Sequence, residues 1–214
     1  MLALSLSAME MAPILAQFYD EEFPKLQPYT QPVAAVPPLL ANATARGYGL
    51  VVATNPIFPL RAIQHRIAWA GAADVPWLYV TSYETMHFAK PHPEYHLEIL
   101  ERIGRTADRC LMIGDNMVND IAPAKAVGMR TFWATENPRS SVGVAGEGRT
   151  GRVADHTGTL DDLRHLIQDA EGMSLVINDS RAFLVHHLHR AEIRRDPSQA
   201  THSAASPPGG RNTR

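Results

Sequence analysis

The apolar positions of this chain follow two rhythms. From about residue 47 onward, short unbroken apolar runs alternate with stretches in which apolar residues recur at helical spacing. Leu50-Val51-Val52-Ala53, Trp77-Leu78-Tyr79-Val80, Cys110-Leu111-Met112-Ile113 and Thr131-Phe132-Trp133-Ala134 are runs of the first kind. Lacking polar alternation, they predict strands covered on both faces. Between them, Ile63, Ile67 and Ala70 repeat at helical spacing up to Gly71. A second helix opens near Pro93, where proline is tolerated because the first helical N–H has no partner to lose. It is expected to carry Leu97, Leu100 and Ile103 inward. A third helix is predicted over 120–127 and stops at Gly128. A weaker strand around Val153-Ala154 and a helix over 160–167 close the series. Strand and helix alternate with short links, which predicts an α/β fold: a doubly wound parallel sheet with helices on both faces. In such folds, ligands sit just beyond the carboxyl ends of the strands.

The flanks read differently. Residues 9–26 predict an amphipathic helix interrupted by Pro13 and ended by Pro24. Residues 27–38 hold four prolines and cannot form one regular element. A short helix over 39–46 then stops at Gly47, which can take the left-handed conformation of many helix ends. Beyond Glu171 the pattern fades. Residues 180–194 predict one more helix, and 196–214, rich in Ser, Pro, Gly and Asn, are expected to be disordered. The chain thus divides into 1–46, 47–172 and 173–214.

Composition narrows the function classes. The 214 residues are 45% apolar with a net charge of −2. A basic stripe of the kind that binds nucleic acid is found only at the far C-terminus. Residues 1–16 are fairly apolar but lack a basic start and carry Glu10 early. No window approaches the roughly 18 uncharged apolar residues that span a bilayer. The expectation is a soluble, cytoplasmic protein with neither nucleic acid nor membrane as partner. The single cysteine, Cys110, suits a reducing compartment and falls in a predicted buried strand. His186, His187 and His189 share one turn without a zinc-site spacing.

The informative polar residues stand at strand ends. Strand one ends in Thr54-Asn55-Pro56. Lys90-Pro91 follows strand two after nine intervening residues. Strand three ends in Gly114-Asp115, with Asp120 five positions later at a helix start. In a parallel sheet all three groups meet at one edge. A hydroxyl beside a backbone N–H, together with an ammonium, suits phosphate oxygens; two carboxylates suit a hard cation such as Mg²⁺. Helix N-termini at the same edge favour an anion.

Val51-Val52-Ala53-Thr54-Asn55 resembles the second motif of the haloacid dehalogenase superfamily. Ala89-Lys90-Pro91-His92-Pro93 is similar to its third, and Met112-Ile113-Gly114-Asp115-Asn116-Met117-Val118-Asn119-Asp120 to its fourth. The resemblance covers roughly residues 47–167. It implies a Rossmann-like core that hydrolyses a small phosphorylated metabolite with Mg²⁺. Thr54 would hydrogen-bond the transferring phosphoryl group with help from the Asn55 backbone. Lys90 would act as the catalytic cation between nucleophile and phosphate. Asp115 would bind Mg²⁺ directly, and Asp120 directly or through water.

The family's first motif, Asp-x-Asp-x-Thr at a strand end, supplies the nucleophile and the general acid–base. Upstream of Thr54 the only aspartate is Asp20, which sits in an amphipathic helix with no buried strand before it. The expectation is a chain that begins within the domain, with 1–46 as the remnant of a helical cap, inactive for want of its nucleophile. A missing first strand would leave its neighbours unpaired. Asp155-His156-Thr157-Gly158-Thr159 resembles the phosphorylation motif of P-type ion pumps, and a circular permutation could bring it to the site. The plainer reading is a last strand followed by a helix capped near Thr159 or Asp161. The alternatives to a hydrolase are a non-catalytic phosphate- or partner-binding module, using the basic tail (Arg190, Arg194, Arg195, Arg211, Arg214), or a gene fragment.

Overall fold

A computed structural model describes residues 7–135, 154–169 and 182–185. The segment over 196–214, the five basic-tail arginines from Arg190 to Arg214 and the three clustered histidines lie outside the described residues.

Among the described residues six strands form one sheet: β1 (Gly49–Val52), β2 (Trp77–Val80), β3 (Cys110–Gly114), β4 (Arg130–Ala134), β5 (His156–Gly158) and β6 (Ala182–Val185). Their order is β2-β1-β6-β3-β4-β5, and every pairing is parallel. Helices α2 (Val36–Ala45), α3 (Leu60–Trp69), α4 (Pro93–Ile103), α5 (Ala122–Ala126) and α6 (Leu160–Asp169) surround it. The alternating Cβ direction of a strand sorts its residues into two cores. Leu50, Val52 and Ile113 pack with Leu39 and Leu40 of α2, Ile63 and Ile67 of α3 and Leu163 of α6. Val51, Ala53, Cys110 and Met112 pack with Tyr95, Ile99 and Ile103 of α4 and Ala124 of α5. For β1 and β3 the unbroken apolar runs have the reason expected of them, since both faces are covered; the β2 run does not, because β2 is an edge strand whose Leu78 is exposed. Burial pushes the Cys110 thiol up to about 11, in keeping with a packing role.

Several elements depart from the sequence reading. The expected 9–26 helix does not break at Pro13. Helix α1 (Ala8–Gln17) runs through it, continues as a π-helical turn over Phe18–Glu22 and tightens to 3₁₀ over Phe23–Tyr29. Its start is fixed by a capping box, in which the Ser7 backbone N–H donates to Glu10 Oε2 (2.8 Å) and the Glu10 N–H to Ser7 Oγ (3.3 Å). Its far end is anchored where Phe23 stacks on Trp69 of α3 at 5.5 Å. The weak strand expected around Val153-Ala154 is found at His156–Gly158; Ala154 lies outside it, and Val153 is outside the described residues.

In α4 the phase differs from expectation. Leu97 is exposed, whereas Tyr95, His96, Ile99, Leu100 and Ile103 are buried. Positions 95, 99 and 103 form one stripe at four-residue spacing, and Leu97 lies off it. Where a helix was expected over 180–194, residues Ala182–Val185 form strand β6, which pairs with both β1 and β3. The gap expected between those strands is filled from the opposite end of the chain. An open ladder inside a covered sheet would leave a row of N–H and C=O groups unpaired, and β6 supplies their partners.

Candidate active site

Where β1 ends, the chain runs on through Ala53 and Thr54 at the carboxyl edge. Two neighbours clamp the Thr54 backbone. Its N–H donates to Thr81 Oγ1 (2.9 Å), just past the end of β2. Its carbonyl accepts from the Tyr95 hydroxyl (2.6 Å), in the first turn of α4. The Thr54 hydroxyl meets Thr81 Oγ1 only at 3.4 Å.

The loop between β2 and α4 brings in Lys90, and the Lys90–Pro91 peptide is cis. The Lys90 N–H donates to Asn55 Oδ1 (3.3 Å), and Nζ donates to Ala53 O (2.8 Å) and Asp120 Oδ1 (2.6 Å). Both charged side chains are buried, Lys90 at 1% exposure and Asp120 at 0%. The Tyr95 ring lies under the ammonium, 5.4 Å from Nζ to its centroid. Burial pushes the Lys90 ammonium below its ordinary range, while Asp120 and, less strongly, Asp115 resist.

The third group comes off β3. Asp120 Oδ2 accepts from the Asn116 N–H (3.1 Å), and the Asn116 side chain caps the N–H groups of Val118 (3.0 Å) and Asn119 (2.9 Å). This turn folds Asp120 back over the strand end so closely that a Cβ on Gly114 would lie 2.4 Å from that of Asp120. Glycine stands there for space. Asp115 is exposed at the rim, and its carbonyl accepts from Trp133 Nε1 (2.9 Å).

The five residues expected at one edge are thus gathered. Lys90 links the β1 end, through Ala53 and Asn55, to Asp120 beyond β3. The other candidate aspartates lie elsewhere in the hydrogen-bonding scheme. Asp20 pairs with Arg61 of α3. Asp155 precedes β5 and is bound to the start of β4: its Oδ2 accepts from the N–H (2.9 Å) and hydroxyl (2.8 Å) of Thr131, and its Oδ1 from Lys125 Nζ (3.1 Å). In a parallel sheet this is the amino-terminal edge, opposite Thr54 and Asp115. Thr159 caps α6, as its Oγ1 accepts from the Asp162 N–H (3.1 Å). The plainer reading of that segment is the observed one, and the permuted nucleophile is not.

Sequence reasoning passed over Tyr95, Thr81 and Glu98. A usable signal existed for Tyr95, since a phenol on an apolar helix face needs a partner for its hydroxyl. Glu98 fastens the loop that carries Lys90. Its carboxylate accepts from the N–H groups of His87 (2.9 Å) and Phe88 (3.3 Å), and from Arg102 (2.7 Å). Burial alone would raise its carboxyl; hydrogen bonds from Arg102 and from His87 and Phe88 win and hold it down at about 2. A carboxyl whose folded value lies below its unfolded one stabilises above the unfolded value and loses that contribution as pH falls through the folded one. The loop is therefore expected to keep protected His87 and Phe88 amides down to nearly pH 2. Hydrogen exchange read by NMR checks this, and opening already at pH 4 would contradict it.

The oxygen donors suit Mg²⁺ in kind. That ion is commonly held by one or two carboxylates, with water and phosphate oxygens completing its shell. Asp115 is open to solvent, and Asp120 is buried against Lys90. Among the described residues no cluster of three or more His, Cys, Asp or Glu side chains forms a fuller metal site, and no helix is long and apolar enough to cross a membrane.

Comparison with known proteins gives a consistent picture. A family model described as haloacid dehalogenase-like hydrolase matches residues 12–128, more than half of the chain. A phosphoglycolate phosphatase from Rhodospirillum rubrum is 36% identical over 110 residues, covering 49% of this chain and 44% of its own. A HAD phosphatase from Thermococcus onnurineus superposes with a TM-score of 0.53 at 25% identity, over 69% of this chain and 65% of that one. An L-2-haloacid dehalogenase from Xanthobacter autotrophicus shares the fold, with a TM-score of 0.51 at 20% identity over 78% and 69% of the two chains. The chain spans less than half the length of the curated relatives it matches. Strand β6 falls outside the residues that the family model matches.

Proposed function

The chain belongs to the haloacid dehalogenase-like hydrolases, and from that footing we propose that Thr54, Asn55, Lys90, Asp115 and Asp120 form the phosphate- and Mg²⁺-binding part of a phosphomonoester hydrolase site. The observation that carries this reading is the buried Lys90 ammonium, held 2.6 Å from Asp120 and 2.8 Å from the carbonyl beside Thr54. A cation bridging two strand ends at the anion-favouring edge of the sheet is suited to a phosphoryl group. Thr54 Oγ1 and the Asn55 N–H would bind phosphoryl oxygens, and Lys90 would offset their charge. Asp115 and Asp120 would hold Mg²⁺, which when bound neutralises further negative charge. The substrate class is a small phosphorylated metabolite.

Binding and turnover separate in this chain. No Asp-x-Asp pair occurs anywhere in the 214 residues, and the two aspartates weighed as substitutes are tied to Arg61 and Thr131. That observation favours a second reading of the same site, a phosphate-binding module without its own nucleophile.

The chain is expected to bind inorganic phosphate in the presence of millimolar Mg²⁺, seen by calorimetry and as a raised unfolding temperature. It is expected to show no Mg²⁺-dependent hydrolysis of an aryl phosphate. Asp155→Asn should leave phosphate binding unchanged. Absence of any phosphate-dependent shift would sink the pocket reading. Robust turnover abolished by Asp155→Asn would restore the permuted nucleophile.

A further inference from the structure

We propose that Tyr95 and Thr81 are positioning residues, which hold Thr54 and Lys90 in the geometry that binds an anion. The inference rests on the phosphate-pocket reading and adds two residues to it. Neither belongs to the set picked out by strand ends, and neither has a polar atom directed at the expected ligand.

A threonine at the end of a strand can turn its hydroxyl several ways unless its backbone is held. Here both backbone groups are engaged: the N–H donates to Thr81 Oγ1 (2.9 Å) and the carbonyl accepts from Tyr95 Oη (2.6 Å). Thr81 is itself tied to β1, because its own N–H donates to Val52 O (2.9 Å). Three elements, the ends of β1 and β2 and the first turn of α4, are thereby locked around one residue, through the peptide units on either side of it. Among the described residues the Thr54 hydroxyl keeps only the 3.4 Å contact with Thr81 Oγ1, too long to compete with a phosphate oxygen.

Proton counting assigns the donors. The phenol carries one hydrogen, and Thr54 O at 2.6 Å takes it in preference to Thr81 Oγ1 at 3.5 Å. The Thr81 hydroxyl also has one, which can go to Thr54 O (3.0 Å) or Val52 O (3.1 Å). Tyr95 has a second function through its ring, whose face lies 5.4 Å from the Lys90 ammonium, within the reach of a cation–π attraction. One side chain therefore touches both phosphate-binding groups. Burial raises the Tyr95 phenol well above its ordinary range, so it stays a neutral donor.

Tyr95→Phe keeps the ring, the core packing and the face under Lys90, and removes only the hydrogen bond to Thr54. Thr81→Val removes the acceptor of the Thr54 N–H at nearly constant volume, and Thr81→Ser retains it. Calorimetric titration with inorganic phosphate at saturating Mg²⁺ is expected to give a dissociation constant raised about three- to tenfold in Tyr95→Phe and in Thr81→Val, the scale of one hydrogen bond. Thr81→Ser is expected to bind as the parent does, which general loosening of the core would not produce. Parent-like phosphate affinity in both Tyr95→Phe and Thr81→Val overturns the proposal, as does equal weakening in Thr81→Ser and Thr81→Val. Should Tyr95→Phe fail to fold, the Thr81 pair decides alone. Absence of phosphate binding in the parent chain is a separate result, which removes the pocket itself and this inference with it.

Discussion

Lys90→Met is expected to cost about 3–5 kcal/mol of folding stability, the range for removing one partner of a buried ion pair. The size follows from what is left behind. Asp120 is at 0% exposure and loses its 2.6 Å cationic partner while keeping the Asn116 N–H, and Ala53 O loses the Lys90 ammonium. Neither group can turn to water. The exposed Lys25–Glu22 pair has the same 2.6 Å separation, with side chains 66% and 55% exposed. Pairs of that kind contribute only about 0–1 kcal/mol, because solvent screens them. Distance is equal in the two cases, and burial decides. Urea unfolding measures the difference, and adding Asp120→Asn to Lys90→Met should recover part of the loss, since the second change removes the stranded charge. A loss under about 1 kcal/mol in Lys90→Met would mean that the pair is not sealed from water. Phosphate binding should vanish in both variants.

Gly114→Ala is expected to cost about 1–3 kcal/mol as an overpacking change and to weaken Mg²⁺-dependent phosphate binding with it. The new methyl carbon would sit 2.4 Å from Asp120 Cβ and 2.6 Å from its Cγ and Oδ2. These atoms are fixed by the Asn116 and Lys90 hydrogen bonds, so the clash is relieved only by moving the turn that presents Asp120. Gly47 offers a contrast. Nothing lies within 4 Å of a Cβ built there, and its requirement is the positive φ of 75°. The two glycines serve unrelated needs, one of space and one of backbone angle. Urea unfolding and phosphate titration of Gly114→Ala test the first, and a variant matching the parent in both would refute it.

The site was legible to the extent that it depends on strand ends. Thr54, Lys90, Asp115 and Asp120 each follow a recognisable strand, and parallel strands deliver their carboxyl ends to one edge. Thr81 was not legible, and Tyr95 only as a buried phenol in need of a partner, because the partner of both, Thr54, lies 27 and 41 residues away in the chain. Leu97 shows a related limit. Helical spacing says that a helix has a buried stripe, but Leu97-Leu100-Ile103 and Tyr95-Ile99-Ile103 both satisfy it. Only the sheet beneath α4 centres burial on the second, which leaves Leu100 and Ile103 buried and turns Leu97 out.

Local patterns determined the α/β alternation, the strand positions from β1 to β4 and the residues that meet at the edge, because strand burial and helix punctuation are written in neighbouring residues. Tertiary structure alone decided which strand stands between β1 and β3. The run Ala182-Phe183-Leu184-Val185 is too short for periodicity to separate strand from helix, and its partners Gly49–Val52 and Cys110–Ile113 are distant in sequence. Its state is set by the open ladders that it closes, a demand that arises only once the rest of the sheet has formed.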